Sequence, residues 1–275
     1  MLVLIKGAGD LATGSAIRLH RAGMKVVMTD IEKPTAVRRT VAFCQCMYDG
    51  SAVVEGVTAR RAAGREEALA ALVRREIPVL ADPGAHILRE LPFDAVVDAI
   101  LAKQNLGTCI TDAPIVLALG PGFTAGVDCH GVVETMRGHD LGRLLTEGSA
   151  EPNTGVPGNI GGYTTQRLIR ATADGIFEPV AQIGDTVAEG ELVARVSGTP
   201  VYAQMSGLVR GMLPAGLEVK KGMKSGDIDP RCEVRHCFTV SDKARAIAGG
   251  VLEGLLHFSA QRGRCRGDTN VNGLS

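Results

Sequence analysis

A short apolar run that leads directly into closely spaced glycines constrains the fold of this chain most. Residues 2–6 read Leu-Val-Leu-Ile-Lys, and Gly-Ala-Gly-Asp-Leu-Ala follows at 7–12. A strand, then Gly-x-Gly-x-x-Ala, then a helical pattern is typical of a nucleotide-binding turn. Gly7 would permit the tight bend, Gly9 would let a diphosphate approach the backbone, and Ala12 would keep the helix close to the sheet. The N–H groups at the helix start would face the anion.

An acidic residue follows the second predicted strand, where a ribose-binding carboxylate is expected. Lys25 to Thr29 predicts that strand, and Asp30 comes about twenty residues after the glycines. The order of strand, turn, helix, strand and acid predicts a Rossmann-like parallel sheet domain that binds a nucleotide-type ligand. Asp10 complicates this prediction, because a carboxylate at the helix start repels a diphosphate unless a cation bridges them. It either caps the helix or contacts a ligand or metal ion.

Two further predicted strands also end near acidic residues. Ile77 to Leu80 precedes Asp82, and Phe93 to Val97 precedes Asp98. The carboxyl ends of parallel strands border the ligand crevice, so these acids and Asp30 are expected along one edge of the sheet. Acids at strand ends also cap helices and form turns, and this alternative stays open.

Paired arginines lie close in sequence to the expected site. Residues 37–43 predict a short helix that leads into a strand, and Arg38 and Arg39 fall within it. The guanidinium group suits phosphate or carboxylate, so both are candidate ligand contacts, although adjacent charges at a helix end are often only solvated. Val53 to Ala59 predicts another strand.

Polar residues concentrate in residues 106–170, a region rich in glycine, proline and threonine that is predicted to complete the site. A strand over 127–135 would place Asp128 and His130 on one face, about 7 Å apart. They could share a metal ion of unknown identity, or the carboxylate could orient the imidazole for acid–base chemistry. His139 would supply a second imidazole after a turn. The alternative is a hydrogen-bonded pair with a structural role.

The second half of the chain carries a weak internal repeat. Residues 180–193 and 213–224 match each other and flank 200–211, an order that resembles the interlocked halves of a biotinyl- or lipoyl-type β-sandwich. Residues 196–200 occupy the hairpin where such domains carry a modified lysine, and they contain none. The predicted domains are therefore as follows: a Rossmann-like domain over 1–105, a connecting region over 106–170, a sandwich without the modified lysine over 171–238, a helix over 239–260 and a disordered tail over 261–275.

Composition excludes several classes of protein. The chain has 275 residues, with 30 Lys plus Arg against 30 Asp plus Glu, so no net charge attracts nucleic acid or an anionic membrane. There is no apolar stretch of membrane-spanning length and no signal peptide, which predicts a cytoplasmic protein. Seven cysteines at irregular spacing predict reduced thiols and not a disulfide framework.

Five ordered motifs together carry a resemblance to a known family. They are residues 6–14, Val37-Arg38-Arg39, residues 127–139, Pro152-Asn153-Thr154-Gly155 and Asp227-Ile228-Asp229-Pro230-Arg231. With these motifs the chain resembles the YqeB family, accessory proteins of the selenium-dependent molybdenum hydroxylase system, up to about residue 258. The resemblance implies a role in hydroxylase maturation, with the hydroxylase apoprotein and other maturation proteins as partners. It supplies no catalytic residues.

Three hypotheses for function follow. In the first, a maturation factor binds molybdopterin cytosine dinucleotide or a related nucleotide through Gly7, Gly9, Ala12, Asp30 and the paired arginines. In the second, the chain is an NAD(P)-dependent oxidoreductase with His130 or His139 as proton donor. In the third, it is a non-catalytic scaffold. A homo-oligomer is compatible with each.

Overall fold

The computed structural model describes residues 1–156 and 158–267. Within residues 1–156, nine strands form one sheet, here called the large sheet. They are β1 (Leu2–Lys6), β2 (Lys25–Asp30), β3 (Ser51–Val54), β4 (Val57–Ala62), β5 (Ile77–Ala81), β6 (Ala95–Asp98), β7 (Ile115–Leu119), β8 (Gly131–Val133) and β9 (Leu144–Leu145). Their spatial order is β3-β4-β5-β2-β1-β6-β7-β8-β9.

Eight strands in residues 158–267, as far as these are described, form two antiparallel sheets. They are β10 (Leu168–Arg170), β11 (Gly175–Pro179), β12 (Thr186–Val187), β13 (Leu192–Val196), β14 (Thr199–Tyr202), β15 (Gly207–Met212), β16 (Glu218–Val219) and β17 (Lys224–Asp229). The order β10-β17-β15-β12 is called the inner sheet, and β14-β13-β11-β16 the outer sheet. Apolar side chains from both sheets share one core, which includes Phe177, Val209 and Ile228.

The described residues form five α-helices, and two of the longer ones cover the same face of the large sheet. The helices are α1 (Asp10–Arg21), α2 (Cys46–Asp49), α3 (Arg65–Val73), α4 (Arg235–Phe238) and α5 (Asp242–Gly267). Side chains of β1 alternate: Val3 and Ile5 join the core that includes α1 and α5, whereas Leu4 joins the core on the opposite face. Burial on both faces explains why these strands are continuous apolar runs.

The approach of α1 to α5 depends on small residues. A Cβ placed on Gly14 would lie 2.9 Å from that of Ala244, so a larger residue would separate the helices. The final helix also runs to Gly267, beyond its predicted end at residue 260. The tail predicted over 261–275 therefore begins inside a helix, and residues 268–275 lie outside the described part of the chain. No helix in that described part is long and apolar enough to cross a bilayer.

The predicted fold class, a Rossmann-like parallel sheet followed by a biotinyl- or lipoyl-like sandwich, is wrong in this form. The large sheet is mixed, because β3 and β9 pair antiparallel at its two edges. The described residues between β6 and β8 contain no α-helix, and α5 from the other end of the chain covers that part of the sheet instead.

The inner sheet is also joined to the first half of the chain and is not an independent carrier module. The Met212 N–H donates to the Val37 carbonyl oxygen at 2.7 Å. Arg39 returns a bond from its Nε to the Met212 carbonyl oxygen at 3.1 Å. Residues 37–43 form short 3₁₀ turns at this junction, in place of the predicted helix and strand.

Adjacent glycines in α5 should respond oppositely to substitution by alanine. A Cβ on Gly250 would collide with the Gly142 carbonyl oxygen and lie 2.8 Å from Val133 Cγ1, whereas a Cβ on Gly249 would meet nothing within 4 Å. Gly250→Ala should lower the free energy of unfolding by about 1–3 kcal/mol through overpacking. Gly249→Ala should raise it by about 0.5–1 kcal/mol through helix propensity. Urea denaturation measures both, and equal effects would contradict the packing described.

Candidate functional site

The glycine turn between β1 and α1 packs against the protein's own backbone. Gly7 has a φ of +91°, and a Cβ there would lie 2.8 Å from the Ala99 carbonyl oxygen. The Gly7 N–H donates to the Thr29 carbonyl oxygen at 2.7 Å. Glycine is therefore required at position 7 by the close approach of the chain's own backbone. No ligand is needed to explain this glycine.

Asp30 binds backbone N–H groups, one of them in the glycine turn, through both of its carboxylate oxygens. Its Oδ2 accepts from the Ala8 N–H at 2.8 Å, and its Oδ1 accepts from the Ile31 N–H at 2.8 Å. Burial raises the pKa of the Asp30 carboxyl, and the two backbone bonds oppose that rise. The Ala8 amide of the glycine turn is thus occupied by a carboxylate of the chain.

A cavity of about 370 Å³, here called the glycine-turn pocket, opens beside this turn. Asp10 and Asp30 are its charged lining residues, and the described lining includes no lysine or arginine. Gly9 and Ala12 also line it. Asp10 is paired with Arg38, whereas Asp30 has no ion pair among the described residues and repels a diphosphate. The predicted nucleotide, molybdopterin dinucleotide or NAD(P) cofactor is therefore wrong for this pocket.

The other acids at strand ends have partners of their own. Asp98 is buried, accepts from the Thr108 hydroxyl at 2.6 Å and lies 3.8 Å from Lys6 Nζ. Asp82 accepts from the Ile87 N–H at 2.9 Å and lies 2.7 Å from Nδ1 of His86. These contacts hold the loops after β6 and β5 in place.

The paired arginines connect the two halves of the chain. Arg38 is nine-tenths buried; its Nη1 lies 3.2 Å from Asp10 Oδ2, and its Nη2 donates to the His236 carbonyl oxygen at 3.1 Å. Arg39 forms the bond to Met212 already described. Asp10 is thus the ionic partner of Arg38, and both line a second cavity.

This second cavity, here called the basic cleft, lies between the carboxyl end of the large sheet and the inner sheet, with a volume of about 530 Å³. Eight cationic and two acidic side chains line it. They are Arg38, Lys103, Arg137, Arg167, Arg170, Arg210, Lys224, Lys243, Asp10 and Asp227. In a chain with no net charge, this excess of positive charge is local to the cleft.

Four of these cations are neutralised by neighbouring carboxylates. Arg38 pairs with Asp10, and the remaining pairs are Arg167 with Asp227 at 2.8 Å, Arg210 with Asp229 at 3.3 Å and Arg137 with Asp242 at 2.9 Å. Among the described residues, Lys103, Lys224, Lys243 and Arg170 have no such ion pair. These four groups are available to an anion.

Two buried arginines of the cleft also carry unused donors. The Nε atoms of Arg38 and Arg167 have no hydrogen-bond partner in the part of the chain that the structure describes. Both residues are at least nine-tenths buried. A buried donor without a partner is costly, and it is common where a ligand or ordered water completes the site.

Lys243 lies where the basic cleft meets a third cavity. Burial lowers the pKa of its ammonium group, the nearby Arg137 lowers it further, and Asp10, Glu134 and Asp242 oppose the change.

The third cavity, here called the apolar lobe, has a volume of about 830 Å³ and shares Lys103, Arg137 and Lys243 with the basic cleft. Its apolar lining residues are Leu11, Leu101, Leu119, Pro121, Met136 and Val156.

A buried carboxylate shapes the apolar lobe. Glu134 Oε1 accepts from the N–H groups of Thr135 and Met136 at 2.6 Å, and Oε2 accepts from the Glu151 N–H at 2.8 Å. This clamp holds the start of the 151–158 loop against the strand end of β8. The loop residues Asn153 and Thr154 consequently line the lobe.

The predicted catalytic residues lie away from the cleft and have separate partners. Asp128 Oδ2 accepts from the Thr124 N–H at 2.8 Å, and His130 Nδ1 accepts from the Val116 N–H at 3.0 Å. The His130 ring also contacts the Phe258 ring, with centroids 5.7 Å apart. His139 is exposed. A catalytic role for Asp128, His130 and His139 stays a prediction.

Burial lowers the pKa of His130, as does Arg262, and the bond from Val116 opposes this change.

Across the described residues, no group of three or more His, Cys, Asp or Glu side chains could hold a metal ion. The described cysteines are free thiols, and burial raises the pKa of Cys46 and of Cys129 to about 12.

Sequence reasoning identified Arg38 and Asp10 and missed most of the basic cleft. Its cations come from the loops after β6 and β8, from β10, β15 and β17, and from the start of α5. Arg137 stood in a motif quoted for the family resemblance, but without a role. The spacing of the other cations along the sequence did not indicate a shared site, because only the folded chain brings them together.

Comparison with known proteins supports the resemblance to the YqeB family. No protein-family model matches the chain. It is 55% identical over 255 residues, 93% of its length, to the Escherichia coli K12 protein YqeB. It spans about half of that protein, 47% of its length. The maturation role implied by the resemblance is not established by this similarity.

Similar solved structures include proteins of other descriptions. An aspartoacylase family protein of Mesorhizobium loti is 13% identical, with 82% of this chain and 84% of that one covered and a TM-score of 0.29. A succinylglutamate desuccinylase/aspartoacylase of Rhodobacter sphaeroides is 16% identical over the same shares, with a TM-score of 0.27. At such TM-scores, neither protein assigns a fold or an activity to this chain.

The functions predicted from the sequence are corrected by the geometry of the glycine turn. Both hypotheses required a dinucleotide on this turn, where Asp30 binds the Ala8 amide and cations are lacking from the described lining. The maturation and oxidoreductase hypotheses are therefore wrong in the form predicted.

Proposed function

We propose that this chain, a relative of YqeB, binds a small organic anion that carries phosphate or carboxylate groups in the basic cleft. The observation that carries the proposal is the set of four cationic lining side chains that have no ion pair among the described residues, namely Lys103, Arg170, Lys224 and Lys243. Several cations held in a concave site attract an anion more strongly than the same charges on an open surface.

The cations of the cleft fall into an ion-paired group and an unpaired group, and this difference supports the proposal. Arg167 and Arg210 are buried and ion-paired, so they form a fixed, neutralised part of the cleft wall. The groups left to contact the ligand directly are Lys103, Arg170, Lys224 and Lys243. Arginine offers paired donors to a carboxylate or phosphate, and lysine offers a point charge.

The apolar lobe favours an organic ligand over a bare inorganic ion. It adjoins the cations at Lys243 and presents the side chains of Leu119, Pro121 and Met136. Binding sites for small molecules commonly combine an apolar lining with a few polar groups that fix orientation. The ligand would place its charged groups on the basic cleft and its body against this lobe.

Titration calorimetry of the full chain with pyrophosphate and with citrate tests the proposal. Binding of at least one is expected, with affinity that falls as sodium chloride rises, because salt screens charge attraction. The two probes distinguish a phosphate site from a carboxylate site. Binding of neither at low salt would contradict the proposal. The predicted protein partners, the homo-oligomer and the cytoplasmic location stay predictions.

A further inference from the structure

The glycine-turn pocket adjoins the other two cavities at the first turn of α1. Asp10 and Leu11 line both this pocket and the basic cleft. Leu11 and Leu101 line both this pocket and the apolar lobe. Leu11 lines all three cavities, so a ligand that extended past its side chain would contact each of them.

The charges of the two ends of this combined space are opposite. Four cationic side chains of the basic cleft have no ion pair among the described residues, whereas the described lining of the glycine-turn pocket has no lysine or arginine. Asp10 lines both cavities and is paired with Arg38, which leaves Asp30 as the unpaired carboxylate of this pocket. Its other walls are mainly apolar, from residues such as Pro34, Ala36 and Ile100. An anionic group is repelled there, while an apolar group with an N–H donor is accommodated.

We infer that the glycine-turn pocket receives the uncharged end of the same organic anion whose charged groups bind the basic cleft. This inference rests on the proposed function and adds the class of ligand. The ligand is an amphiphilic anion with a compact apolar end that can donate a hydrogen bond toward Asp30. The Asp30 oxygens each accept one backbone bond, which leaves each a further lone pair for such a donor.

Gly9 offers a way to fill this pocket without disturbing the turn. Its φ is −67°, which any residue adopts, and a Cβ there would meet nothing within 4 Å. Gly9→Leu should therefore fold normally and occupy space that the ligand needs. Gly64 is a matched control: it also precedes a helix, α3, a Cβ there meets nothing within 4 Å, and it lines none of the three cavities.

The test uses 8-anilinonaphthalene-1-sulfonate, an amphiphilic anion with an N–H group whose fluorescence rises in apolar surroundings. The unmodified chain should bind the dye, and pyrophosphate should displace it. Gly9→Leu should weaken dye binding by about tenfold or more, which is about 1.4 kcal/mol. The same variant should keep its pyrophosphate affinity, and Gly64→Leu should behave as the unmodified chain for both probes.

Failure of this inference is distinguishable from failure of the proposed function. If Gly9→Leu binds the dye as tightly as the unmodified chain, or if pyrophosphate does not displace the dye, the inference is overturned. If the unmodified chain binds neither pyrophosphate nor citrate by calorimetry, the proposed function fails, whatever the dye shows. Thermal unfolding of each variant confirms that a loss of dye binding is not a loss of fold.

Discussion

Asp229→Asn is expected to lower the free energy of unfolding by about 3–5 kcal/mol, because it leaves a buried arginine without its counter-charge. Asp229 is 1% exposed. Its Oδ2 lies 2.7 Å from Arg231 Nη2 and 3.3 Å from Arg210 Nη1, and the Arg210 side chain is 7% exposed. Asparagine keeps the shape of the side chain, so lost packing cannot explain the result, but it removes the charge and replaces one acceptor oxygen by an NH2 group.

Urea denaturation at neutral pH measures this effect, and Asp174→Asn is the control. Asp174 also accepts a backbone N–H and pairs with a lysine, but its side chain is 61% exposed. Water screens that pair, so Asp174→Asn should change stability far less. Equal effects of the two substitutions would contradict the ion cluster described around Asp229.

The effect of Asp229→Asn should also depend on pH. Burial acts to raise the pKa of Asp229, but hydrogen bonds from Arg231 and the charges of both arginines outweigh it and lower the pKa from 3.8 to about 2. A depressed pKa stabilises the folded state above the unfolded value and loses that stabilisation as the pH falls through the folded value. The difference between the two proteins should therefore shrink as the pH falls from about 4 to about 2.

Removing two lysine charges from the basic cleft should reduce pyrophosphate affinity by about 100-fold. The double variant Lys224→Met and Lys243→Met retains much of the side-chain volume and removes two cations that have no ion pair among the described residues. A hydrogen bond to a charged group contributes about 1.5–3 kcal/mol, so the loss of two accounts for this estimate. Calorimetry measures the affinity, and urea denaturation shows that the fold is retained.

The matched control removes two lysines at the surface outside the cleft. Lys25 begins β2 at the amino end of the large sheet, Lys33 follows the same strand, and both are exposed. Lys25→Met with Lys33→Met changes the net charge of the chain by the same amount. It should leave pyrophosphate affinity nearly unchanged. If both double variants lose affinity equally, binding reflects net charge and not the cleft.

Local patterns in the sequence predicted the central strands of the large sheet well. The apolar runs at residues 2–5, 25–29 and 77–80 are β1, β2 and β5, because strands buried on both faces must be apolar throughout. The run Val53 to Ala59 was predicted as one strand and is a hairpin instead. Glu55 and Gly56 both have positive φ and form its turn, and glutamate gives little indication of that conformation.

The basic cleft could not be predicted, because its parts meet only through long-range contacts. Lys243 reaches it because α5 returns from the end of the chain to pack on α1, with Ala244 against Gly14. Arg170 and Lys224 reach it because β10 pairs with β17. The glycine turn was recognised as a motif, but the residue that its backbone binds could not be predicted. The Ala8 amide binds Asp30, and neither residue type indicates that bond in advance.

A crystal structure of the full chain with pyrophosphate tests the central claim, anion binding in the basic cleft, most directly. The account predicts pyrophosphate within hydrogen-bonding distance of Lys243, Lys224 or Arg170, with the glycine-turn pocket free of it. Pyrophosphate bound at the glycine turn beside Asp10 and Asp30, with none in the basic cleft, would contradict the account.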